Sequence, residues 1–170
     1  VTYPELYEMQ VEAIIESVIK LQKEGITCLP EIMIPLVSTV EEFTTLKERL
    51  VNTIRHLEKE SQQNIQYMIG TMIETPRACL IANDLAKHCD FFSFGTNDLT
   101  QLTFGFSRDD AGKFINVYTE SNILQLDPFQ TLDTDGVGQL IQLAVDQAKQ
   151  VKPEIKIGVC GELGGDAKSI

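Results

Sequence analysis

Short apolar runs alternate along the chain with longer amphipathic stretches, and this alternation restricts the fold more than any other feature of the sequence. The apolar runs are EIMIPLV (31–37), YMIGTMI (67–73), FFSFG (91–95) and IKIGVC (155–160). Runs of this length suit parallel β-strands that are buried on both faces. Strands separated by helices pair in parallel through right-handed crossovers. The sequence therefore predicts an α/β fold with about four parallel strands and flanking helices.

The stretches between these runs have the spacing of amphipathic helices. Four helices are predicted: over residues 5–23, after a capping box of Ser38 and Glu41, from Thr75 and Pro76 through Ala86, and over residues 136–150. Residues from about 100 to 135 remain as a long connection rich in Asp, Gly and Thr. Connections of that length are uncommon unless they are functional.

The number of predicted strands leaves two architectures open. Four strands are too few to close a β-barrel. The sequence opens directly on a helix and ends a few residues after the last strand, where another helix should begin. The chain is therefore expected to form either a small open α/β sheet or part of a longer (β/α) barrel.

The charge balance and the cysteines exclude several classes of protein. Lys and Arg total 14 against 25 for Asp and Glu, so the net charge of −11 would repel nucleic acid and anionic membranes. No apolar stretch is long enough to cross a bilayer, and the first residues lack the pattern of a signal peptide. The cysteines lack CxxC spacing: they are Cys28, Cys79, Cys89 and Cys160. These features predict an intracellular protein, cytoplasmic or organellar and not secreted, with reduced thiols.

Three of the predicted strands end in chemically reactive side chains. Glu74 follows the second strand, Asn97 and Asp98 follow the third, and Cys160 ends the last. The carboxyl ends of parallel strands collect at one rim, and that rim carries the active site in essentially every characterised (β/α) barrel. We therefore expect these four side chains to lie together, with Gly95 allowing close approach of the backbone.

Each of these residues also has a purely structural explanation. A carboxylate such as Glu74 can serve the free amides and the dipole of the helix that follows it. Asn97 and Asp98 can form a turn, and Cys160 can be a small core residue. Packing alone does not readily place two carboxylates and a thiol on successive strand ends, so the combination favours a functional site.

Two carboxylates on neighbouring strand ends form a hard oxygen site that suits Mg²⁺ or Mn²⁺ better than zinc. No imidazole is expected beside them, because His56 and His88 lie among charged neighbours in predicted surface helices. A bound ion of this kind can polarise a carbonyl group and stabilise an enolate. A cysteine with an ordinary pKa of about 8.5 is mostly protonated near neutral pH and can donate a proton or act as a nucleophile. Glu74, Asp98 and Cys160 therefore predict metal-assisted enolate chemistry.

Four motifs resemble the C-terminal domain of the pyruvate phosphate dikinases. They are IGTMIETPRA (69–78), FFSFGTNDLTQLTFGFSRDDAGKF (91–114), DPFQTLDTDGVGQLI (127–141) and KIGVCGELGG (156–165). The likeness covers essentially the whole chain, from VTYPE at its start to its last residues. GTNDLTQ and the Cys-Gly-Glu turn are shared with phosphoenolpyruvate synthase and with enzyme I of the sugar phosphotransferase system.

The resemblance implies a (β/α)8 TIM barrel that interconverts pyruvate and phosphoenolpyruvate (PEP) with Mg²⁺. Residues 1–170 would be the second half of this C-terminal PEP/pyruvate-binding barrel domain, with no complete nucleotide-binding or phosphohistidine domain. The parent enzyme, expected to be a homodimer, would convert ATP, phosphate and pyruvate to AMP, pyrophosphate and PEP. A phosphohistidine on a separate mobile domain would carry the phosphoryl group.

The resemblance also implies roles for individual residues. Glu74 and Asp98 would be metal ligands that also touch substrate, Gly95, Thr96 and Asn97 would line the substrate pocket, and Cys160 would donate and accept the proton at the substrate carbon. The family carries arginines for the substrate carboxylate and phosphate on earlier barrel strands, which have no counterpart here. The 170-residue chain is therefore expected to be inactive alone.

One position departs from the dikinase pattern. Dikinases usually have histidine where this chain has Leu163, and leucine there is similar to enzyme I. Two alternatives to a dikinase therefore stay open. The first is phosphoenolpyruvate synthase or enzyme I, and the second is a non-catalytic, truncated relic, although a relic would be free to lose Glu74, Asp98 and Cys160.

Overall fold

The computed structural model describes residues 1–169 and contains a four-stranded parallel sheet with flanking helices. The strands are Glu31–Ile34 (β1), Met68–Ile73 (β2), Phe91–Gly95 (β3) and Lys156–Cys160 (β4). The helices are Pro4–Lys23 (α1), Val40–Ser61 (α2), Pro76–Leu80 (α3), Ala82–Ala86 (α4), Thr96–Phe104 (α5), Arg108–Ala111 (α6), Ile115–Glu120 (α7) and Val137–Val151 (α8), and a 3-10 turn follows at Glu162–Gly165. The predicted α/β class is confirmed.

The strands pair in the order β1-β2-β3-β4, which is also their order along the chain. The register places Thr71 between Ile34 and Phe92, and it pairs Gly95 with Cys160. Successive right-handed crossovers in one direction put the helices on one face of the sheet. This is the winding of a barrel wall, whereas a doubly wound sheet has helices on both faces. The carboxyl ends of the strands therefore lie along one rim.

The two faces of the sheet differ in chemistry. On β1, β2 and β3 the apolar side chains of the helix-covered face are at most 7% exposed: they are Ile32, Ile34, Ile69, Ile73, Phe92 and Phe94. Burial of a side chain of this size contributes about 1.5–3 kcal/mol, so this face supplies much of the stability. The opposite face carries half-buried Met33 and Met72. Across it, Lys156 Nζ on β4 lies 2.6 Å from Glu31 Oε1 on β1.

Helix α2 begins one residue later than predicted. Its N-cap is Thr39, whose side-chain oxygen accepts the Glu42 N–H at 3.0 Å. The Glu42 carboxylate accepts the Thr39 N–H at 2.8 Å, which completes the capping box. The predicted box of Ser38 and Glu41 is therefore wrong. Two overlapping Ser/Thr-x-x-Glu patterns occur here, and the carboxylate that turns back to the start of the helix is Glu42, which also accepts the Ser38 N–H at 2.8 Å.

The helix predicted from Thr75 begins where expected but is not continuous. The Thr75 side chain accepts the Ala78 N–H at 3.1 Å, and Pro76 is the first helical residue, as predicted. The Ile81 N–H donates a hydrogen bond to the Ala78 carbonyl, three residues earlier, at 3.3 Å. This bond tightens the turn and separates α3 from α4. The prediction of a single helix here is wrong.

The predicted long connection over about residues 100–135 is present between β3 and α8, but it is not irregular throughout, because it contains the end of α5 and all of α6 and α7. Helix α5 starts directly at Thr96, and α6 and α7 follow it. A second, small core holds this segment together: Ala111, Ile115 and Phe129 are buried against Phe106 and Phe114. The Phe106 and Phe114 rings lie 5.0 Å apart, edge to face. Within residues 1–169, no helix combines the length and apolar character that crossing a bilayer requires.

Replacement of Gly70 by alanine is expected to destabilise the sheet. A Cβ atom at position 70 would lie 2.6 Å from the Phe91 ring and nearer still to the Phe91 carbonyl oxygen. Overpacking of this kind costs about 1–3 kcal/mol, so urea denaturation should show a lower midpoint for Gly70→Ala. Gly158→Ala on β4 is the matched control, because nothing lies within 4 Å of its added Cβ. Equal midpoints for the two variants would contradict the register of β2 and β3.

Candidate active site at the strand ends

The rim formed by β2, β3 and β4 brings the predicted site residues together. The pairing of Ile73 with Phe94 places Glu74 beside the end of β3, and the pairing of Gly95 with Cys160 places the thiol on the next strand. Asn97 and Asp98 lie in the first turn of α5, immediately after β3. The expected arrangement on one rim is therefore present.

Glu74 is the buried carboxylate of the site, only 3% exposed. Its Oε1 accepts the N–H of Leu36 at 2.6 Å. Its Oε2 lies against Gly95, where a Cβ atom would come within 2.8 Å. Gly95 is thus required for space. Any side chain at that position would displace the Glu74 carboxylate.

Two carboxyl groups meet where β2 and β3 end. Burial raises the pKa of Glu74, the Leu36 N–H opposes that rise, and the nearby carboxyl of Asp98 adds to it. Asp98 itself is exposed. The pair therefore consists of one buried and one solvent-exposed carboxyl group near each other, an arrangement that a cation would stabilise.

The ends of β3 and β4 are joined through Thr96 and Cys160. The Thr96 hydroxyl donates to the Cys160 carbonyl at 3.4 Å, and the Cys160 thiol donates to the Phe94 carbonyl at 3.4 Å. Gly161 has a φ of +92°, and its Cβ position lies 3.3 Å from Thr96 Oγ1. A larger residue there would be strained and would press on Thr96.

Asn97 carries a polar atom without a protein partner. Its Oδ1 is buried and accepts no hydrogen bond from the described part of the chain. Its Nδ2 lies 3.5 Å from the Cβ position of Gly161, which places the amide between the ends of β3 and β4. Buried polar atoms are usually satisfied, so an unpaired amide oxygen on this rim fits a ligand or ion.

The residues present fit a divalent cation of the Mg²⁺ class. Glu74 and Asp98 supply carboxylate oxygens, and Asn97 supplies a free amide oxygen. Mg²⁺ commonly takes one or two protein carboxylates and completes its shell with water and substrate oxygens. Across residues 1–169 no cluster of three or more His, Cys, Asp or Glu could hold a metal. The site thus suits a cation that completes its shell with water or substrate oxygens.

Cys160 differs from two of the other cysteines. It is half-buried at the rim, whereas Cys79 and Cys89 are fully buried in the core. Burial raises the pKa of both core thiols to about 12, so both are protonated at neutral pH. His56 and His88 are exposed, as predicted, and stand apart from the rim.

Sequence reasoning missed two contributions to this rim. The first is the Leu36 N–H, which no sequence pattern could reveal because it depends on a positive φ of 54° at a leucine. The second is the ion pair between Arg108 and Glu162, whose atoms lie 2.6 Å apart although 54 residues separate them. Both residues lie within the motifs quoted above, but their pairing required the fold. Leu163, the departure from the dikinase pattern, is buried at 2% exposure.

The fold and the site together define a barrel-type α/β domain with paired carboxylates and a thiol at its strand ends. A model of the family described as "PEP-utilising enzyme, PEP-binding domain" matches residues 1–170, and the chain belongs to this family. This finding confirms the resemblance drawn from the motifs.

Curated relatives agree with the family assignment. Pyruvate, phosphate dikinase 1, chloroplastic, of Arabidopsis thaliana is 49% identical over 170 residues, which are 100% of this chain and 18% of the relative. Pyruvate, phosphate dikinase of Clostridium symbiosum is 52% identical over 171 residues, which are 100% of this chain and 20% of the relative. Pyruvate, phosphate dikinase 2 of Zea mays is 48% identical over 170 residues, 100% of this chain and 19% of the relative. The chain spans about a fifth of the length of these relatives.

Glu74→Gln is expected to make the metal-free chain more stable at neutral pH. The pKa of Glu74 is raised in the folded chain. The stability that this carboxyl group contributes is therefore fully present below its ordinary pKa of 4.5 and is lost as the pH rises through the raised pKa of the folded chain. Above that window the glutamate is a buried charge, whereas glutamine stays neutral.

Urea unfolding of both proteins between pH 4 and pH 7 measures this effect. The stability advantage of Glu74→Gln should be smallest at the acid end and should grow as pH rises. Glu12→Gln, at an exposed position on α1, is the control and should follow the wild-type profile. A Glu74→Gln profile parallel to that of wild type would contradict the burial of an ionised carboxylate.

Proposed function

We propose that this chain is the site-bearing part of the PEP/pyruvate-binding barrel of a pyruvate, phosphate dikinase. Residues 1–170 would form the second half of that barrel. The observation that carries the proposal is the convergence of Glu74, Asp98 and Cys160 on the ends of three adjacent parallel strands. The family match over residues 1–170 and relatives that bear the dikinase name support the same conclusion.

In this proposal Glu74 and Asp98 hold Mg²⁺ and face the oxygens of the substrate. Bound Mg²⁺ supplies positive charge that polarises the substrate carbonyl and stabilises charge on its oxygen. Glu74 is suited to this role because its burial excludes water and its Oε1 is already fixed by Leu36. Exposed Asp98 can exchange water for ligand at little cost.

Gly95, Thr96 and Asn97 line the substrate pocket in this proposal. Gly95 carries no side chain that would crowd the Glu74 carboxylate, so substrate can approach this carboxylate. Thr96 fixes the end of β4 through the Cys160 carbonyl. The unpaired Oδ1 of Asn97 is free to contact substrate or an ordered water.

Cys160 is proposed to carry the proton at the substrate carbon. In the PEP-forming direction the Cys160 thiolate would take a proton from the methyl group of pyruvate and leave the enolate, and in reverse the S–H would return that proton to the methylene carbon of the enolate. The hydrogen bond between the thiol and the Phe94 carbonyl, 3.4 Å long, supports this role because it fixes the position of the sulfur at the end of β4. Positioned proton transfer of this kind contributes about 10²–10⁴-fold to a rate.

The remaining parts of the reaction are assigned to the parent enzyme. A phosphohistidine domain would deliver the phosphoryl group, and arginines on other barrel strands would hold the substrate carboxylate and phosphate. The parent enzyme is proposed to be an intracellular homodimer, cytoplasmic or organellar. Free cysteines at all four positions agree with a reducing compartment.

A second candidate is phosphoenolpyruvate synthase or enzyme I, and one observation favours it. Enzyme I also has leucine at the position of Leu163, and this side chain is buried in the turn directly after Cys160. The dikinase reaction differs from the reactions of these two enzymes in its stoichiometry. A dikinase requires phosphate with ATP and releases pyrophosphate, so the full-length enzyme should consume phosphate in proportion to the pyruvate converted.

Asp98→Ala is expected to abolish Mg²⁺ binding, because Glu74 would then be the only carboxylate left at the site. Isothermal titration of the chain with MgCl₂ measures this directly. Asp84→Ala is the control, since Asp84 is paired with Lys87 on the surface of α4 and should leave the titration unchanged. An unaltered titration of Asp98→Ala would remove Asp98 from the metal site.

Cys160→Ala in the full-length enzyme is expected to slow the formation of PEP by about 10²–10⁴-fold while phosphorylation of the carrier histidine continues. Pyruvate methyl protons should stop exchanging with deuterium from the solvent in this variant. Cys28→Ala is the matched control, at a half-buried cysteine before β1. Undiminished exchange in Cys160→Ala, or turnover by the isolated 170-residue chain, would contradict the proposal.

A further inference from the structure

Leu36 has a backbone conformation that is unusual for its residue type. Its φ of +54° lies in the left-handed region, which disfavours residues that carry a Cβ atom. Its side chain is 63% exposed, so burial of the leucine does not account for the conformation. Strained backbone of this kind persists where the surrounding structure imposes it, and it concentrates at functional sites.

The residues on both sides of Leu36 are held firmly. Ile34 and Val37 are each 1% exposed, and the buried hydroxyl of Thr71 donates to the Ile34 carbonyl at 2.9 Å. The turn between β1 and α2 therefore has two fixed ends. Its short length forces the chain to reverse at Leu36, with the side chain outward and the N–H inward.

This turn is also fastened to the segment that follows Glu74. The Ser38 and Thr75 hydroxyls lie 3.3 Å apart, and the Arg77 guanidinium donates to the Ser38 carbonyl. Together with the bond from Leu36 to Glu74, these contacts join residues 36–38 to residues 74–77 at three points. The β1 end is thus part of the rim, although it contributes no reactive side chain.

The hydrogen bond from the Leu36 N–H gives the two oxygens of Glu74 different surroundings. Oε1 is engaged by the amide at 2.6 Å. Oε2 points to the end of β3, against Gly95, with the Asp98 carboxyl nearby. Without the amide, the carboxylate would be free to rotate about the bond to its methylene group, and neither oxygen would be fixed in direction.

We propose that the turn between β1 and α2 is a positioning element of the site, in which the Leu36 N–H fixes Glu74 Oε1 and reserves Oε2 for the metal. This inference rests on the proposed function, since it assigns a metal to Glu74. It adds a fourth strand end, β1, to the three that carry the reactive side chains. It also predicts that the backbone at position 36, and not the leucine side chain, is what the site requires.

An amide-to-ester replacement at Leu36 isolates the N–H. Incorporation of the α-hydroxy analogue of leucine removes this hydrogen and leaves the side chain in place. Loss of an outer partner of a metal ligand typically weakens metal affinity 10–100-fold, and that loss is the expected result for Mg²⁺ in an isothermal titration. The same replacement at Leu132 is the matched control, because its N–H donates to Ser169 Oγ at 2.9 Å, outside the site residues. The Leu132 ester should bind Mg²⁺ as the unmodified chain does.

Leu36→Gly completes the test, because it keeps the N–H and removes the strain. It should retain Mg²⁺ affinity and raise the thermal midpoint, since glycine adopts positive φ readily. If the ester chain does not fold, Arg77→Gln loosens the same turn with an intact backbone and should weaken Mg²⁺ binding in the same direction.

The outcomes separate this inference from the proposed function. A Leu36 ester that folds and binds Mg²⁺ as tightly as the unmodified chain, while Asp98→Ala does not bind, would overturn the positioning role and leave the metal site standing. Mg²⁺ binding that neither Asp98→Ala nor Glu74→Ala alters, or no binding by the unmodified chain, would overturn both. The proposal is supported if the Leu36 ester binds Mg²⁺ more weakly while the Leu132 ester and Leu36→Gly keep the Mg²⁺ affinity of the unmodified chain.

Discussion

The parallel register of β2, β3 and β4 is the constraint on which the site depends. Ile73 pairs with Phe94, and Gly95 pairs with Cys160, so the three strands end almost level. Alternate residues of a strand point to opposite faces, so a slip of one residue would turn Cys160 toward the helices and bring an apolar side chain to the rim. The buried apolar face prevents that slip. The same strand register is therefore needed both to pack the core and to place the reactive groups.

The rim also contains the main electrostatic cost of the fold. Glu74 is dehydrated and lies beside a second carboxyl group, and each of these conditions disfavours its charge. The Leu36 N–H offsets part of that cost, at the expense of a strained backbone. Groups with shifted pKa values and residues with strained backbone tend to coincide at functional sites, where stability is given up for chemistry.

Much of this arrangement follows from the sequence. Strand composition and spacing predicted β3 at its observed bounds, and strand order then placed Glu74, Asp98 and Cys160 on one rim. Errors arose where competing local signals were nearly equal, as in the overlapping capping patterns before α2, or where helices were too short to show a period, as in α6 and α7. The Leu36 amide and the Arg108–Glu162 pair could not be predicted, because neither a dihedral angle imposed from both sides nor a contact over a long sequence separation has a local signature.

The ion pair between Glu31 and Lys156 indicates that the sheet is curved. Three strand spacings in a flat sheet would separate β1 from β4 by about 14 Å, yet the two charged groups lie 2.6 Å apart over the face without helices. Long side chains cover part of that gap, and bending of the sheet covers the rest. The four strands are thus already curved toward the face without helices, as the wall of a cylinder is. Packing of helices against the outer, convex side keeps that inner face open at the strand ends.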